Sequence, residues 1–274
     1  MNESSKVIRF LYGNCVGRFL LKIIMGLRLD KPVTRYLWSS ASKPMIHWYA
    51  KSNRIPLTPE QRKTYGSFRD FFVRTRESNG IDTEKGHLIS PCDGWMSAFT
   101  IDSESRFSIK NSFYRVEDFL QDESLAKNYQ NGTLLVFRLC ASDYHHYCYI
   151  DNGYQGQHHY VPGVLHSVQP IACEKFPVYV LNKRCWSLLT TESFGPVVQC
   201  EIGALVIGGI FNAKENSRIC KGHEKGHFEL AGSTIVLLFE PDKIRLNPRV
   251  EEYLARNAEM RVTLGEWIGI QKEE

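Results

Sequence analysis

The texture of the chain changes near Leu88, and that change limits the fold more than any other feature. From there on, short apolar or alternating runs are separated by glycine, proline and asparagine turns: Thr133 to Cys140, Val178 to Leu181, Val197 to Ile202, Ala204 to Ile210 and Thr234 to Phe239. Runs of that length between turn residues predict strands. One helix is expected among them at Val116 to Tyr129, where Glu117 and Asp118 favour the start and Leu120 and Leu125 face inward. The first 75 or so residues lack strand alternation and read as helical stretches broken at Pro32, Pro44, Pro56 and Pro59. The expectation is an α+β protein, with a helical segment over 1–75 and a β-rich domain over 76–274. No repeat of fixed period and no low-complexity tract interrupts it.

Charge separates the same two regions. The net charge of +4 hides an asymmetry: residues 1–80 hold 15 Lys and Arg against 5 Asp and Glu, and the remaining residues 19 against 25. The amino-terminal part therefore calls for an anionic partner, and its interleaved residues choose a membrane surface over nucleic acid. In the run Val16 to Leu29, Arg18, Lys22 and Arg28 interrupt otherwise apolar sequence. Three cations in fourteen positions are too costly at the centre of a bilayer, so the run cannot span one. As an interfacial helix it gains about 1 kcal/mol for each cation near an anionic surface and about 1.5 to 3 for each large apolar side chain buried. Tyr36, Trp38, Trp48 and Tyr49 follow, residue types that favour the same interface. A helix packed on the protein's own core with solvated cations is the competing reading. A cleavable signal sequence is excluded by the cations within the apolar stretch.

Eight cysteines, with no C-x-x-C spacing and mostly apolar surroundings, read as reduced core residues.

Three separated segments hold candidate chemistry. Ser90-Pro91-Cys92-Asp93-Gly94 places an aspartate in a tight turn. Phe137 to Tyr149 runs from a strand into a cluster containing Asp143, Tyr144, His145 and His146, and histidine titrates near 6.5, where a general base is useful. Zinc is the obvious competitor there, through His145, His146, Cys148, His158 and His159. Adjacent histidines point apart on a strand, and no second pair has structural-site spacing, so no metal is expected. The third segment is Gly232-Ser233-Thr234 at the head of an apolar run. A serine there can attack the preceding carbonyl, because glycine has no Cβ to block the approach. The same tripeptide also serves as an ordinary turn before a strand. His223 and His227 lie in a glycine-rich stretch and read as solvated. Phe71 and Phe72 read as packing residues. Arg184 and Lys221 are open to either a lipid phosphate or a surface carboxylate.

Taken in order, these motifs resemble the phosphatidylserine decarboxylases. The resemblance is carried by Ser67-Phe68-Arg69-Asp70-Phe71-Phe72-Val73-Arg74, by Ser90 to Gly94, by Asp143-Tyr144-His145 and by Tyr160 to Val168. It continues through Asn182-Lys183-Arg184, Phe194-Gly195, Ile202-Gly203-Ala204 and Lys221 to Phe228 to Gly232-Ser233-Thr234. It implies a pyruvoyl enzyme that makes its own cofactor. Ser233 attacks Gly232, and the chain divides into residues 1–232 and a chain of residues 233–274 that begins with the pyruvoyl group. The catalytic set implied is Asp93, His145 and Ser233, with Asp93 orienting the histidine that deprotonates Ser233. The ketone then forms a Schiff base with the headgroup of phosphatidylserine and releases carbon dioxide and phosphatidylethanolamine. The implied partners are phosphatidylserine, an anionic membrane surface on the cytoplasmic face of the cell membrane, and the two processed chains as a heterodimer, with further dimerisation left open. Nucleic acid is not among them.

The sequence departs from the family pattern at two places. Cys148 stands where many members have a second histidine, so the base is assigned to His145, with His146 and His166 in reserve. Small Ala231 precedes Gly232, where many members have a bulky residue. Two alternatives remain: a serine hydrolase using Ser233, His145 and Asp93 on an external ester, which lacks the Gly-x-Ser-x-Gly elbow, and a non-catalytic lipid-binding homologue.

Overall fold

The structure is a computed structural model that describes residues 6–26, 30–76, 80–109, 112–204, 209–229, 233–256 and 258–272. Among the described residues six α-helices precede the first strand: α1 (Lys6–Gly13), α2 (Cys15–Gly26), α3 (Asp30–Leu37), α4 (Lys43–Ser52), α5 (Pro59–Thr64) and α6 (Phe68–Phe72). Pro32, Pro44 and Pro59 lie in the first turns of α3, α4 and α5 and do not separate helices, because a residue there has no intrahelical use for an N–H. Thr58 and Gln61 form a capping box at α5, and the Ser67 hydroxyl caps α6 through the Asp70 N–H.

The strands are β1 (His87–Ile89), β2 (Gly94–Thr100), β3 (Arg106–Ile109), β4 (Ser112–Arg115), β5 (Thr133–Leu139), β6 (His146–Cys148), β7 (Gly153–Val161) and β8 (Arg184–Thr191). They continue with β9 (Gly195–Ile202), β10 (Gly209–Asn212), β11 (Ser217–Ile219), β12 (Glu224–Glu229), β13 (Ser233–Phe239), β14 (Ile244–Leu246), β15 (Met260–Val262) and β16 (Trp267–Gln271). Eight of them form one antiparallel sheet in the order β11-β7-β8-β9-β13-β5-β2-β15. A smaller sheet, β10-β12-β6, and another, β1-β16-β14, flank it.

β13 is buried along its whole length because both faces of the large sheet are covered. Alternation sends Val236 and Leu238 into one core, with Leu134, Val136 and Val198. It sends Ile235, Leu237 and Phe239 into the other, with Leu135, Phe137 and Leu139. The first core is closed by Ile8, Leu11, Tyr12 and Leu21 of α1 and α2 and by Phe119. The second is closed by Tyr147, Cys148 and Phe228 of the smaller sheet and by Leu88 and Ile268. The amino-terminal helices are thus divided: α1 and α2 lie on the large sheet, whereas α3, α4 and α6 form a separate cluster of Leu37, Ile46, Ala50, Phe68, Phe71 and Phe72.

Several expectations are corrected. The single helix at 116–129 is two short helices, Val116–Leu120 and Glu123–Ala126, then a 3-10 turn, Lys127–Tyr129. Gln121 breaks it by adopting a left-handed conformation. Val178–Leu181 is a helical turn that follows Pro177 and buries Val178 and Tyr179; packing overrides the strand preference of its β-branched residues. The strand expected at Ala204 to Ile210 begins at Gly209, and residues 205–208 lie outside the described residues. Of the cysteines, Cys15 and Cys220 are exposed and Cys140 is half-buried; all eight are free thiols.

Candidate active site

The register of the large sheet brings the three expected segments to one end. Ser233 opens β13 opposite Leu139, the last residue of β5. The chain leaves β5 into a turn in which the Asp143 N–H donates to the Cys140 carbonyl at 3.0 Å and the Asp143 carboxylate accepts the Cys140 N–H at 2.7 Å. His145 follows, and β6 begins at His146. On the other side of β5, Trp95 of β2 pairs with Arg138, so Asp93 lies just before the start of β2 at the same end. The Cys148 N–H donates to the Pro91 carbonyl at 2.9 Å, which ties β6 to the aspartate turn.

The histidines divide between the two faces. Ser233 shares the odd alternation of Ile235 and Leu237, which sends its side chain toward the face covered by β6 and β12. His145 and His146 belong to that side. His166 lies on the other: its Nδ1 is 3.2 Å from the Tyr12 hydroxyl, its ring stacks on Phe176, and it lines an apolar recess with Phe19 and Leu21 of α2.

His145 is buried, with its ring 4.4 Å from that of Phe72. A carbonyl can only accept, so the 2.9 Å contact with the Asp143 carbonyl places the hydrogen on Nδ1 and leaves Nε2 as the basic atom. Nε2 is buried with no hydrogen-bond partner among the described residues. Burial pushes the His145 pKa down to about 4, against a smaller opposing influence of Asp143, so the ring is neutral at pH 7. Cys148 is unsuited to the work of a base: burial pushes its thiol up to about 12, and its Sγ lies 3.9 Å from the Ser90 carbonyl.

The acidic residues hold the frame. Asp93 accepts two hydrogen bonds from Arg76, both at 2.7 Å, and a third from the Leu264 N–H at 2.9 Å. Among the described hydrogen bonds none joins Asp93 to His145; the group that orients the His145 ring is the Asp143 carbonyl. Arg261 grips the Asp143 carboxylate through two bonds, 2.6 and 3.0 Å, and so steadies the turn that presents His145. Arg76 also lies over the Tyr144 ring, at 4.6 Å. Sequence reasoning missed Arg76 and Arg261. Arg76 lies just beyond the Phe71 to Arg74 motif, and nothing near Arg261 in sequence marks it as a partner of Asp143.

Other readings resolve as follows. Arg184 is buried and donates to the carbonyls of Phe119, Val180, Asn182 and Asp118, which leaves no donor face for a lipid phosphate. Lys221 donates to the carbonyls of Glu84 and His87. Phe71 and Phe72 are core residues. His223 is exposed, whereas His227 is on β12 and only partly exposed. Gly232 and Ala231 lie outside the described residues, so the structure describes Ser233 but not the bond before it.

A buried histidine oriented by a carbonyl, two arginine-gripped carboxylates and a serine that opens a buried strand thus gather at one end of the large sheet. The sequence profile of the family described as phosphatidylserine decarboxylase matches residues 68–270. A protein of Clostridium acetobutylicum named phosphatidylserine decarboxylase proenzyme 2 is 39% identical over 265 residues, covering 96% of this chain and 91% of that one. Phosphatidylserine decarboxylase proenzymes of Clostridium botulinum strain Alaska E43 and Clostridium beijerinckii are 32% and 34% identical over 272 residues, each covering 96% of this chain and 92% of the relative. The chain belongs to the phosphatidylserine decarboxylase family.

Proposed function

We propose that this protein is a self-processing decarboxylase that converts phosphatidylserine to phosphatidylethanolamine and carbon dioxide, using a pyruvoyl group made from Ser233. The observation that carries the proposal is the state of His145: neutral, buried, oriented through Nδ1, with Nε2 lacking a hydrogen-bond partner among the described residues, on the sheet face toward which alternation directs Ser233. In the first step Nε2 takes the Ser233 hydroxyl proton as Oγ attacks the Gly232 carbonyl carbon. The Gly232–Ser233 amide becomes an ester and the nitrogen of Ser233 recovers a proton. Elimination across Cα–Cβ of residue 233 releases the Gly232 carboxylate, and water replaces the nitrogen, which leaves as ammonia. The resulting group supplies an electron sink for the carboxylate lost from a serine headgroup. The residues present suit it: residue 233 heads a buried strand, where bulk water is kept from competing with Oγ for the carbonyl carbon.

The substrate remains in a bilayer, and the outer face of α2 suits that setting. Val16, Phe19, Leu20 and Ile23, at i, i+3, i+4 and i+7, are exposed, with Arg18 and Lys22 beside them. Trp38 and Trp48 are also exposed, whereas Tyr49 turns inward and donates to the Ala141 carbonyl. Among the described residues no helix is long and apolar enough to cross a membrane. Peripheral attachment at an anionic surface therefore accompanies the proposal.

Intact mass of the wild type beside Ser233→Ala tests the chemistry. The wild type is expected as chains 1–232 and 233–274, the smaller with a blocked amino terminus, and the variant as one chain of 31.6 kDa. A wild type that stays whole and releases no carbon dioxide from phosphatidylserine would overturn the proposal.

A further inference from the structure

We propose that His146, Glu224 and His227 form a binding site for a divalent transition-metal ion of the zinc class, at the seam between β6 and β12. No two of the three have a sequence spacing that suggests a metal. The antiparallel register makes the site, because His146 stands opposite His227 across the two strands, and Glu224 enters beyond an irregularity in the same ladder. The three side chains present ligand atoms within 4.8 Å of one another.

The hydrogen bonding of His146 carries the argument. Its Nε2 lies 3.0 Å from the Val73 carbonyl, which can only accept, so Nε2 bears the hydrogen. Nδ1 faces Glu224 Oε1, which can only accept, at 3.1 Å, and has no hydrogen-bond partner among the described residues. A ring nitrogen and a carboxylate oxygen at that separation call for a cation between them, a proton on Nδ1 or a metal ion. A ring whose remote N–H is held by a backbone carbonyl is also how metal-ligating histidines are oriented. His227 completes the set through Nδ1, which is 3.8 Å from the same Glu224 oxygen. The separation of 3.1 Å is close to the edge, about 3.3 Å, of a tetrahedron with ligands near 2.0 Å, and the longer one requires His227 to close on the ion.

The surroundings hold the rings in place. His146 is stacked between Tyr144 at 4.7 Å and His227 at 4.9 Å, and Phe211 covers His227 at 5.3 Å. The nearby cation Arg69 is paired with Glu229. Two imidazoles and one carboxylate suit zinc, cobalt or nickel better than magnesium or calcium, and leave a fourth position open on the exposed Glu224 side. Bound there, the ion ties β6, which follows His145, to β12, which leads toward Ser233.

The test uses the purified full protein, stripped with chelator and titrated with Zn²⁺ and Co²⁺ by calorimetry and absorption. The wild type is expected to bind one equivalent, with cobalt showing tetrahedral d–d bands and no thiolate charge-transfer band. Glu224→Gln and His227→Ala are each expected to weaken binding by about 10- to 100-fold or more, and to abolish a zinc-dependent rise in Tm. Glu224 is exposed, so its variant keeps the test sound if His227→Ala fails to fold. Failure of the wild type to bind either ion would identify a protonated His146 paired with Glu224 and overturn the proposal. Equal binding by wild type and Glu224→Gln, or a thiolate band from exposed Cys15 or Cys220, would place the ion elsewhere and overturn it too.

Discussion

At the residue scale, the environment of His145 decides both chemistry and pH response. Its folded pKa of about 4 lies below the usual 6.5 because burial disfavours the charged ring. Between those values the unfolded chain binds a proton that the folded chain does not. Stability from this group is therefore full above about pH 6.5 and declines as pH falls toward 4, by about 3 kcal/mol in all. Urea unfolding of wild type and His145→Gln between pH 7.5 and 4.5 checks this: the variant should lose that limb of the pH dependence, and parallel curves would refute the assignment. The same residue shows where sequence reading stopped. His145 was legible as a candidate base, but its orienting partner was not. The Asp143 carbonyl is a backbone atom, which no motif records, and the carboxylate expected to serve His145 is instead held by Arg76.

At the element scale, the apolar runs that became β5, β9 and β13 were readable because burial on both faces leaves little but apolar residues in a strand. Val178–Leu181, equally apolar, was misread because periodicity in four residues cannot separate a strand from a helical turn. Close approach also fixes elements where composition is silent. A Cβ on Gly226 would stand 2.0 Å from the Phe211 carbonyl oxygen, so Gly226→Ala should separate β10 from β12 and lower Tm by more than 5 °C, read by thermal unfolding. The outer face of α2 carries the other prediction at this scale. Arg18→Glu with Lys22→Glu should weaken binding to vesicles containing anionic lipid by about tenfold or more, leave binding to zwitterionic vesicles unchanged, and remove the salt dependence. Wild-type binding that ignores salt would indicate a purely apolar attachment.

At the scale of the whole molecule, the proposed cut falls beside the middle of a sheet. Residues 233–274 supply β13, which pairs with β5 and β9, together with β15 on β2 and β16 on β1. The two chains should therefore remain one particle after processing and separate only on unfolding, a result that native mass spectrometry beside denaturing mass spectrometry would show. Two species under native conditions would contradict it.

By itself the sequence determined the α+β class, the helical and basic amino-terminal part, the apolar strands and the serine after glycine. Each follows from local chemistry: side-chain period, turn residues, charge density and the missing Cβ of glycine. The tertiary structure alone decided which arginines hold Asp93 and Asp143, that His166 lies against Tyr12 and Phe176, and that His146 meets Glu224 and His227. Those relations join residues far apart in sequence, 118 positions between Asp143 and Arg261, and depend on strand register, where a shift of one residue turns every side chain to the opposite face.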